Sequence, residues 1–317
     1  MLKARVVAIR EEAIDIKSFE LVGADEEALP LFTPGSHIDV HVAPGLVRQY
    51  SLCNAPSETD CYRIAVKRES DSRGGSSFLH SSLCVGDVIE IGAPRNNFAL
   101  KPPRGPVLLV GAGIGVTPLL SMALHLQEEG AAYSLHYFTR SIAHTAFHSL
   151  LSERRFLGRV DFHYATEPDA VRAYLRRLLW NRPEGAELYL CGPRPFMDLV
   201  ESTAASTWPP DSVHLEYFSA GTAALAGPRD SFIIRLARTG GEHLVGADQT
   251  IAGVLRDAGV AIETSCEQGV CGTCLTGVLS GVPDHRDVFL TDEEQAAGDK
   301  IMCCVSRAKT AVLELDI

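Results

Sequence analysis

The sequence lacks a surplus of basic residues. It contains 29 Lys and Arg against 40 Asp and Glu, which gives a formal net charge of −11. A nucleic-acid-binding surface needs concentrated positive charge, so that class of function is not expected. Hydrophobic residues make up 46% of the 317 residues. This fraction supports real cores, and the length predicts two or three domains.

Long uninterrupted apolar segments are also missing. The first ten residues have neither an apolar core nor a cleavage site, so they predict a β-strand rather than a signal peptide. Residues 107–126 contain no Asp, Glu, Lys or Arg, but three glycines and Pro118 interrupt them. A strand, a glycine turn and a helix explain this segment better than a membrane span does. The expected compartment is the cytoplasm.

The nine cysteines lack the arrangement of a disulfide framework or of a common zinc site. Their number is odd and no secretory segment accompanies them, which argues against paired disulfides. Structural zinc sites usually combine two C-x2-C units or mix cysteine with histidine. This chain has a single C-x2-C unit. Zinc and unligated buried cysteines stay open as alternatives at this point.

The cysteines that are present near the end of the chain have an informative spacing. Three stand at C-x4-C-x2-C, and a fourth candidate follows after 29 intervening residues: Cys266, Cys271, Cys274 and Cys304. This is the plant-type spacing for a 2Fe–2S cluster. The small residues Gly269 and Gly272 let backbone N–H groups approach the sulfides. Cys303 is adjacent to Cys304, and only one of the two neighbours can face a cluster.

Residues 1–102 consist mostly of short runs that alternate apolar and polar residues between Gly and Pro clusters. This pattern predicts an antiparallel β-barrel or sandwich. Within it, Arg48 and Tyr50 share one face of an extended segment, and Ser51 follows them. The guanidinium and the hydroxyl can contact one ligand, and the Tyr50 ring can stack on a flat heterocycle of that ligand. A second motif predicts a phosphate-binding turn that opens a helix: Gly75, Ser76 and Ser77. Each motif alone also fits an ordinary surface strand or loop.

Residues 103–220 alternate strand and helix patterns, which predicts a doubly wound parallel sheet. The first strand leads into Gly111-Ala112-Gly113-Ile114-Gly115-Val116-Thr117-Pro118, and a helix is predicted over 119–129. Bare backbone beside a helix N-terminus suits a pyrophosphate. The full G-x-G-x-x-G pattern is missing, because Val116 stands where a small residue is needed. The chemistry leaves NAD or NADP open, and Arg140 fits a surface charge as well as a phosphate contact.

The last third of the chain begins with residues 221–230, which are small and turn-rich and predict an interdomain linker. Residues 231–317 predict a small α+β ferredoxin domain of the β-grasp type, with strands near 232–236 and 311–315 and a helix near 250–258. His285 lies between Asp284 and Arg286. We expect it in a solvated loop without a catalytic role, because no nucleophile or carboxylate arrangement accompanies it.

Taken together, these segments resemble the phthalate dioxygenase reductase family, which includes vanillate O-demethylase reductases. The order carries the resemblance: an Arg-x-Tyr-Ser barrel first, the glycine-loop domain with Cys191-Gly192-Pro193 second, and a plant-type ferredoxin last. Related reductases put the ferredoxin first or lack it. The resemblance covers essentially the whole chain. Its 29-residue cysteine gap favours Cys304 as the fourth ligand and leaves Cys303 as a small buried apolar residue.

The resemblance implies FMN rather than FAD, and NADH as the donor. Arg48 with Ser76 or Ser77 would hold the FMN phosphate, and Tyr50 and Ser51 would line the isoalloxazine. The glycine loop would bind NADH through Gly111, Gly113, Gly115, Thr117 and Pro118. The nicotinamide pocket would be shaped by Cys191, Gly192 and Pro193. Phe218 would cover the flavin.

The implied function is that of the NADH-dependent reductase of a two-component Rieske-type aromatic oxygenase, either a dioxygenase or an O-demethylase. A monomer would dock transiently on the oxygenase near residues 266–274. No acid–base residue is expected, since the protein has only to position cofactors and tune their potentials. Two alternatives stay open: the reductase of a haem monooxygenase, and a ferredoxin-like carrier or redox sensor that binds no nucleotide.

Overall fold

The computed structural model describes residues 1–43, 46–70, 74–164, 167–221 and 230–317. The chain forms two compact units, Met1–Glu216 and Tyr217–Ile317. Residues 222–229, most of the predicted linker, lie outside the described residues. The division into a flavin domain over 1–102, a nucleotide domain over 103–220 and a ferredoxin domain over 231–317 stays a prediction.

The first sheet is a six-stranded antiparallel barrel, as the alternating pattern predicted. Its strand order is β4-β3-β6-β1-β2-β5, and a bridge between Leu52 and Ile64 joins the two outer strands. Alternate residues of one strand, such as Ile38 and Val40, are fully buried in the barrel core. A short helix, α1 (Gly75–Ser81), packs on β3, β4 and β5. The strands are β1 (Leu2–Ala13), β2 (Ile16–Gly23), β3 (His37–Ala43), β4 (Leu46–Ser51), β5 (Tyr62–Lys67) and β6 (Val88–Ile91).

The second sheet of the same unit is parallel, with order β11-β10-β7-β8-β9. Read along the chain, this is the doubly wound order 3-2-1-4-5, and the order reverses between β7 and β10. The strands and helices are β7 (Val107–Ala112), α2 (Val116–Glu128), β8 (Tyr133–Thr139), α3 (His148–Leu151), β9 (Val160–Tyr164), α4 (Pro168–Trp180), β10 (Glu187–Cys191), α5 (Arg194–Ala204) and β11 (Val213–Glu216).

Helices cover both faces of this parallel sheet. On β8, Leu135 and Tyr137 point into the core that α2 shares. His136 and Phe138 instead contact the ring of Tyr174 on α4, tilted and edge-on respectively, and Phe138 also contacts Phe196 of α5. Successive strand residues face opposite sides of a sheet, so the near-continuous apolar runs in the sequence follow from burial on both faces.

Helix α2 begins at Val116, three residues before the predicted start at 119. Pro118 therefore lies in the first turn, where its missing N–H leaves no hydrogen bond unmade. Residues 107–126 are thus β7, a tight glycine turn and most of α2. None of the helices in the described part of the chain is long and apolar enough to cross a membrane.

The second unit has a mixed sheet of order β13-β12-β18-β14-β16, in which only β12 and β18 run parallel. Thr250 caps helix α6 (Ile251–Asp257), since its side chain accepts a hydrogen bond from Gly253 N. The helix buries Ile251 and Leu255 in the core of the unit. This α+β arrangement confirms the predicted fold. Its strands and helices are β12 (Phe232–Leu236), β13 (Glu242–Val245), α6 (Ile251–Asp257), β14 (Leu275–Ser280), β15 (Pro283–Asp284), α7 (Asp292–Ala297), β16 (Lys300–Met302), β17 (Arg307–Ala308) and β18 (Val312–Leu315).

Candidate functional site

The cysteine loop, residues 265–274, is curled by three residues with positive φ angles: Glu267 at 52°, Gly269 at 73° and Gly272 at 78°. Space also requires the two glycines. A Cβ atom at Gly269 would lie 2.7 Å from Val305 Cγ2, and one at Gly272 would lie 2.7 Å from Phe289 Cε2. Both distances are too short for real atoms. The glycines therefore allow the loop to fold tightly against its neighbours.

The four cysteines come together as two pairs of sulfur atoms. A hydrogen bond from Cys266 lowers the pKa of Cys271 to about 5 and raises that of Cys266. In the second pair, a hydrogen bond from Cys304 lowers the pKa of Cys274 and raises that of Cys304. Each pair therefore joins a thiolate to a neutral thiol, and four cysteine sulfurs grouped in two pairs are what a cluster of two irons requires.

Backbone N–H groups lie close to these sulfur atoms. Gln268 N lies 3.3 Å from Cys266 Sγ, and Cys304 N lies 3.4 Å from Cys274 Sγ. The backbone N–H of Gly269 opposes the rise in the pKa of the Cys304 thiol. Such donors stabilise thiolates and tune the potential of a cluster. The residues present therefore fit a 2Fe–2S cluster.

Cys303 has a different environment from its neighbour Cys304. It is fully buried, and its thiol donates a hydrogen bond to Thr276 Oγ1 at 3.3 Å. Burial raises the pKa of Cys303 to about 12, so it stays a neutral thiol. Cys304 thus lies beside Cys274, whereas the thiol of Cys303 faces Thr276. This is the arrangement expected if Cys304 is the fourth ligand.

The two predicted flavin-binding motifs meet in the barrel. A Cβ atom at Gly75 would lie 2.6 Å from Arg48 Cγ, so the Arg48 side chain runs directly along the backbone of the α1 turn. Ser77 Oγ donates to Gly74 O at 3.2 Å, and Ser76 Oγ accepts from Glu69 N at 3.2 Å. A guanidinium and a turn with two hydroxyls, distant in sequence, therefore lie side by side.

The side chains of Arg48 and Tyr50 lie on the same face of β4. Across the sheet, Tyr50 pairs with Ile38 and Arg48 pairs with Val40 on β3. Tyr50 is half-buried against the barrel core, and burial raises the pKa of its hydroxyl. Ser51 is buried and pairs with His37. The strand thus holds the three predicted flavin residues in a fixed order.

The glycine loop meets the Cys-Gly-Pro motif where the strand order of the parallel sheet reverses. Gly111 and Cys191 are direct partners on β7 and β10. A Cβ atom at Gly115 would lie 2.6 Å from Gly192 N, so the loop packs on the end of β10 without room for any side chain. Open α/β sheets bind ligands at such a switch point.

The other residues of these motifs play mainly structural parts. A Cβ at Gly113 would meet nothing within 4 Å, and its φ of 55° suits glycine; this is the open point of the loop. Thr117 is buried and donates to Ile114 O at 3.0 Å, and Pro118 is buried beside it. Pro193 directly precedes α5. Phe218 belongs to the second unit, with a relative exposure of 37%.

Glu216 is a feature that motif reasoning missed. It ends β11 and pairs with Cys191 across the sheet. Its Oε2 atom is buried without a hydrogen-bond partner in the described part of the chain. Burial raises the pKa of this carboxyl from 4.5 to about 8, so it is largely protonated at neutral pH. Nothing local in Leu215-Glu216-Tyr217 signals burial, because it comes from the sheet and its surroundings.

Substituting Glu216 with Gln should change how stability depends on pH. The folded chain binds one proton more than the unfolded chain between pH 4.5 and about 8, so the stability from this group is complete below that range and is lost as the pH rises through about 8. The free energy of unfolding of the wild type, relative to E216Q, should fall by up to about 1.4 kcal/mol per pH unit. Denaturant unfolding at several pH values measures this, and the exposed control E129Q should track the wild type.

His285 contradicts the solvated loop that the sequence predicted. Its side chain has only 8% exposure, and both ring nitrogens are buried without a hydrogen-bond partner among the described residues. Arg286 and Asp287 are buried as well. Three consecutive polar residues normally mark an exposed loop. Here they are packed inside the second unit.

The comparisons with known proteins agree with this architecture. Residues 235–309 match a family model described as a 2Fe-2S iron-sulfur cluster binding domain. The chain is 44% identical to the vanillate O-demethylase oxidoreductase of Pseudomonas putida, over 100% of both proteins. It is 40% identical to the phthalate dioxygenase reductase of Burkholderia cepacia, over 100% of this chain and 97% of that one.

Among the solved structures that match this chain over its whole length are two of different kinds. The first is a phthalate dioxygenase reductase, described as a modular structure for electron transfer from pyridine nucleotides to [2Fe-2S]; it matches with a TM-score of 0.84 and 39% identity over 98% of its chain. The second is an intact self-sufficient cytochrome P450 monooxygenase, with a TM-score of 0.78 and 34% identity over 41% of its chain.

The fold and the paired cysteines define an electron-transfer oxidoreductase with a 2Fe–2S domain at its end. The full-length identities are high enough to assign the family. The chain belongs to the phthalate dioxygenase reductase family, as the order of its motifs indicated. The predicted cluster is confirmed by the cluster-binding domain, and the zinc alternative falls with it.

Proposed function

We propose that the chain is the NADH-dependent reductase component of a two-component, Rieske-type aromatic oxygenase. It takes a hydride from NADH onto FMN and passes the electrons singly through the 2Fe–2S cluster to the oxygenase. One observation carries this proposal. The same chain holds a glycine loop packed on Cys191 at a sheet switch point and a loop of paired cysteines.

A flavin is proposed because the electron donor and the electron acceptor exchange different numbers of electrons. A nicotinamide gives two electrons together, whereas a 2Fe–2S cluster accepts one. A bound flavin supplies the conversion between them. The barrel offers the binding residues: Arg48 beside Gly75 for a phosphate, and Tyr50 and Ser51 along the same strand. One guanidinium and one turn suit the single terminal phosphate of FMN.

For the donor, the loop at Gly113 gives the pyrophosphate open space, and Cys191, Gly192 and Pro193 border the nicotinamide position. NADH rather than NADPH rests on the family resemblance alone. Phe218 is proposed to stack on the flavin. We expect a cytoplasmic monomer that forms a transient complex with its oxygenase near residues 266–274.

The acceptor rests on the relatives, which are named as components of O-demethylase and dioxygenase systems. A haem monooxygenase is the second candidate, because the whole chain also matches part of a cytochrome P450. Transfer assays separate the two. We expect NADH-driven reduction of a purified Rieske oxygenase at a rate well above that of a purified bacterial P450, and the reverse order would favour the haem acceptor.

The test of the cofactors is an anaerobic titration of the purified protein, followed in the visible spectrum. A flavin band with an iron–sulfur shoulder should bleach with about 1.5 equivalents of NADH, since flavin and cluster together take three electrons and each NADH gives two, and much less readily with NADPH. Chromatography of the released flavin should give FMN. Release of FAD, or no bleaching by either nucleotide, would overturn the corresponding part of the proposal; absence of any flavin would leave the ferredoxin-like carrier.

Arg48 gives a sharper test of the flavin site. Removing a charged hydrogen-bond donor from a phosphate costs about 1.5–3 kcal/mol, so R48Q should weaken FMN binding by roughly 10- to 150-fold. Flavin fluorescence on dilution measures the dissociation constant. The matched control is Arg68→Gln, another barrel arginine, which is exposed and paired with Asp15. Equal affinity in both variants would remove Arg48 from the site.

A further inference from the structure

The buried polar segment, residues 285–287, lies against the cysteine loop. A Cβ atom at Gly269 would lie 3.1 Å from Asp287 Cα and 3.2 Å from Asp287 Cβ. Val288 N donates to Gly269 O at 3.1 Å. The backbone N–H of the same Gly269 opposes the rise in the pKa of the Cys304 thiol, so Gly269 lies close to that sulfur. One residue therefore connects the buried polar segment with a ligand of the cluster.

Asp287 is the last residue of this segment. Its side chain has 0% exposure. Each carboxylate oxygen accepts a hydrogen bond, Oδ2 from Leu290 N at 2.9 Å and Oδ1 from Ser306 Oγ at 3.1 Å. A carboxylate that only accepts is matched to its ionised form. Ser306 lies two residues after Cys304, so Asp287 also holds the loop that carries the fourth ligand.

The neighbouring charges leave this carboxylate with little direct neutralisation. Arg286 donates to Asp284 Oδ2 through two nitrogens, at 2.9 and 2.8 Å. Within the described part of the chain, the basic nitrogen that comes within 4 Å of Asp287 is His285 Nδ1, at 3.8 Å. That contact is longer than a hydrogen bond. Asp287 is thus a buried negative charge held mainly by neutral donors.

We propose that Asp287 lowers the reduction potential of the 2Fe–2S cluster. Reduction adds one negative charge to the cluster, and a fixed negative charge packed against the loop opposes it. Burial matters, because a charge inside the protein is screened far less than one at the surface. The net charge near a cluster is one of the factors that set its potential. The inference rests on the cluster domain and requires neither the flavin nor the partner.

The test is Asp287→Asn in the full chain, which removes the charge and keeps the shape and a carbonyl acceptor. The reduction potential of the cluster is measured by a redox titration followed by electron paramagnetic resonance. It should rise by about 59 mV, which corresponds to a tenfold change in the one-electron reduction equilibrium. Glu293→Gln is the matched control, since it removes an exposed carboxylate from the start of α7. It should shift the equilibrium less than twofold. Equal shifts in the two variants would overturn the proposal.

Two further variants separate charge from packing. Asp287→Glu keeps the charge but overfills a buried site, so it should lower the melting temperature and leave the potential near that of the wild type. A shift as large as that of D287N would show that loop geometry, not charge, matters. If D287N does not retain its cluster, the reduction potential of Ser306→Ala tests the proposal instead. That substitution removes one donor from the carboxylate, so the potential should fall, and an unchanged or higher potential would contradict the inference.

Discussion

Replacing Cys304 with Ala should abolish the 2Fe–2S cluster, whereas replacing its neighbour Cys303 should leave the cluster in place. Cys304 lies beside Cys274, with its backbone N 3.4 Å from Cys274 Sγ, so its loss would remove one of the four thiolates that a 2Fe–2S cluster needs. Cys303 is hydrogen-bonded to Thr276. Iron and sulfide content, with the visible spectrum, measure the outcome.

The pair is its own control, because both substitutions remove a buried thiol from the same turn. C303A loses a small buried group and a weak hydrogen bond, which costs about 1 kcal/mol. It should melt slightly earlier than the wild type and keep full iron content. If C303A lost the cluster and C304A kept it, the assignment of the fourth ligand would be reversed.

The cysteine spacing predicted the cluster because the chemistry is local. Three ligands and two essential glycines fall within ten residues, so one short stretch fixes most of the geometry. The fourth ligand was harder. Cys303 and Cys304 are equivalent in composition, and only the strand β16 and the turn after it decide which sulfur faces Cys274.

The fold class was likewise readable from periodicity. Alternation in β3 gave an antiparallel barrel, and apolar strands separated by helices gave a parallel sheet. The position of the first helix residue was wrong, because Pro118 was assumed to precede the helix. Propensity alone does not distinguish a proline before a helix from one in its first turn.

The buried polar residues could not be predicted from the sequence. Glu216 and His285 both look like surface residues by residue type, and His285 also lies between the charged residues Asp284 and Arg286. Their burial depends on elements far away in the chain: β10 for Glu216, and the loop near Ser306 for the segment around His285. Tertiary packing, not local pattern, decides such positions.

Replacing Gly115 with Ala should disrupt the proposed nucleotide site. The added Cβ would lie 2.6 Å from Gly192 N, which forces α2 and the end of β10 apart where the nicotinamide is proposed to bind. Overpacking of this kind costs about 1–3 kcal/mol. Because the shift moves the reacting groups apart, kcat/KM for NADH should fall by roughly 10- to 100-fold, measured by stopped-flow reduction of the flavin.

Gly130→Ala, just past the other end of α2, is the matched control. Gly130 has a φ of 66°, and its Cβ would meet nothing within 4 Å. That substitution strains the left-handed backbone by about 1–2 kcal/mol without touching Cys191. It should lower the melting temperature and leave NADH reduction unchanged. If both variants reduced flavin at the wild-type rate, the packing of the glycine loop on β10 would not matter for hydride transfer. If only G115A slowed, with its cluster spectrum intact, the switch point would be the nucleotide site.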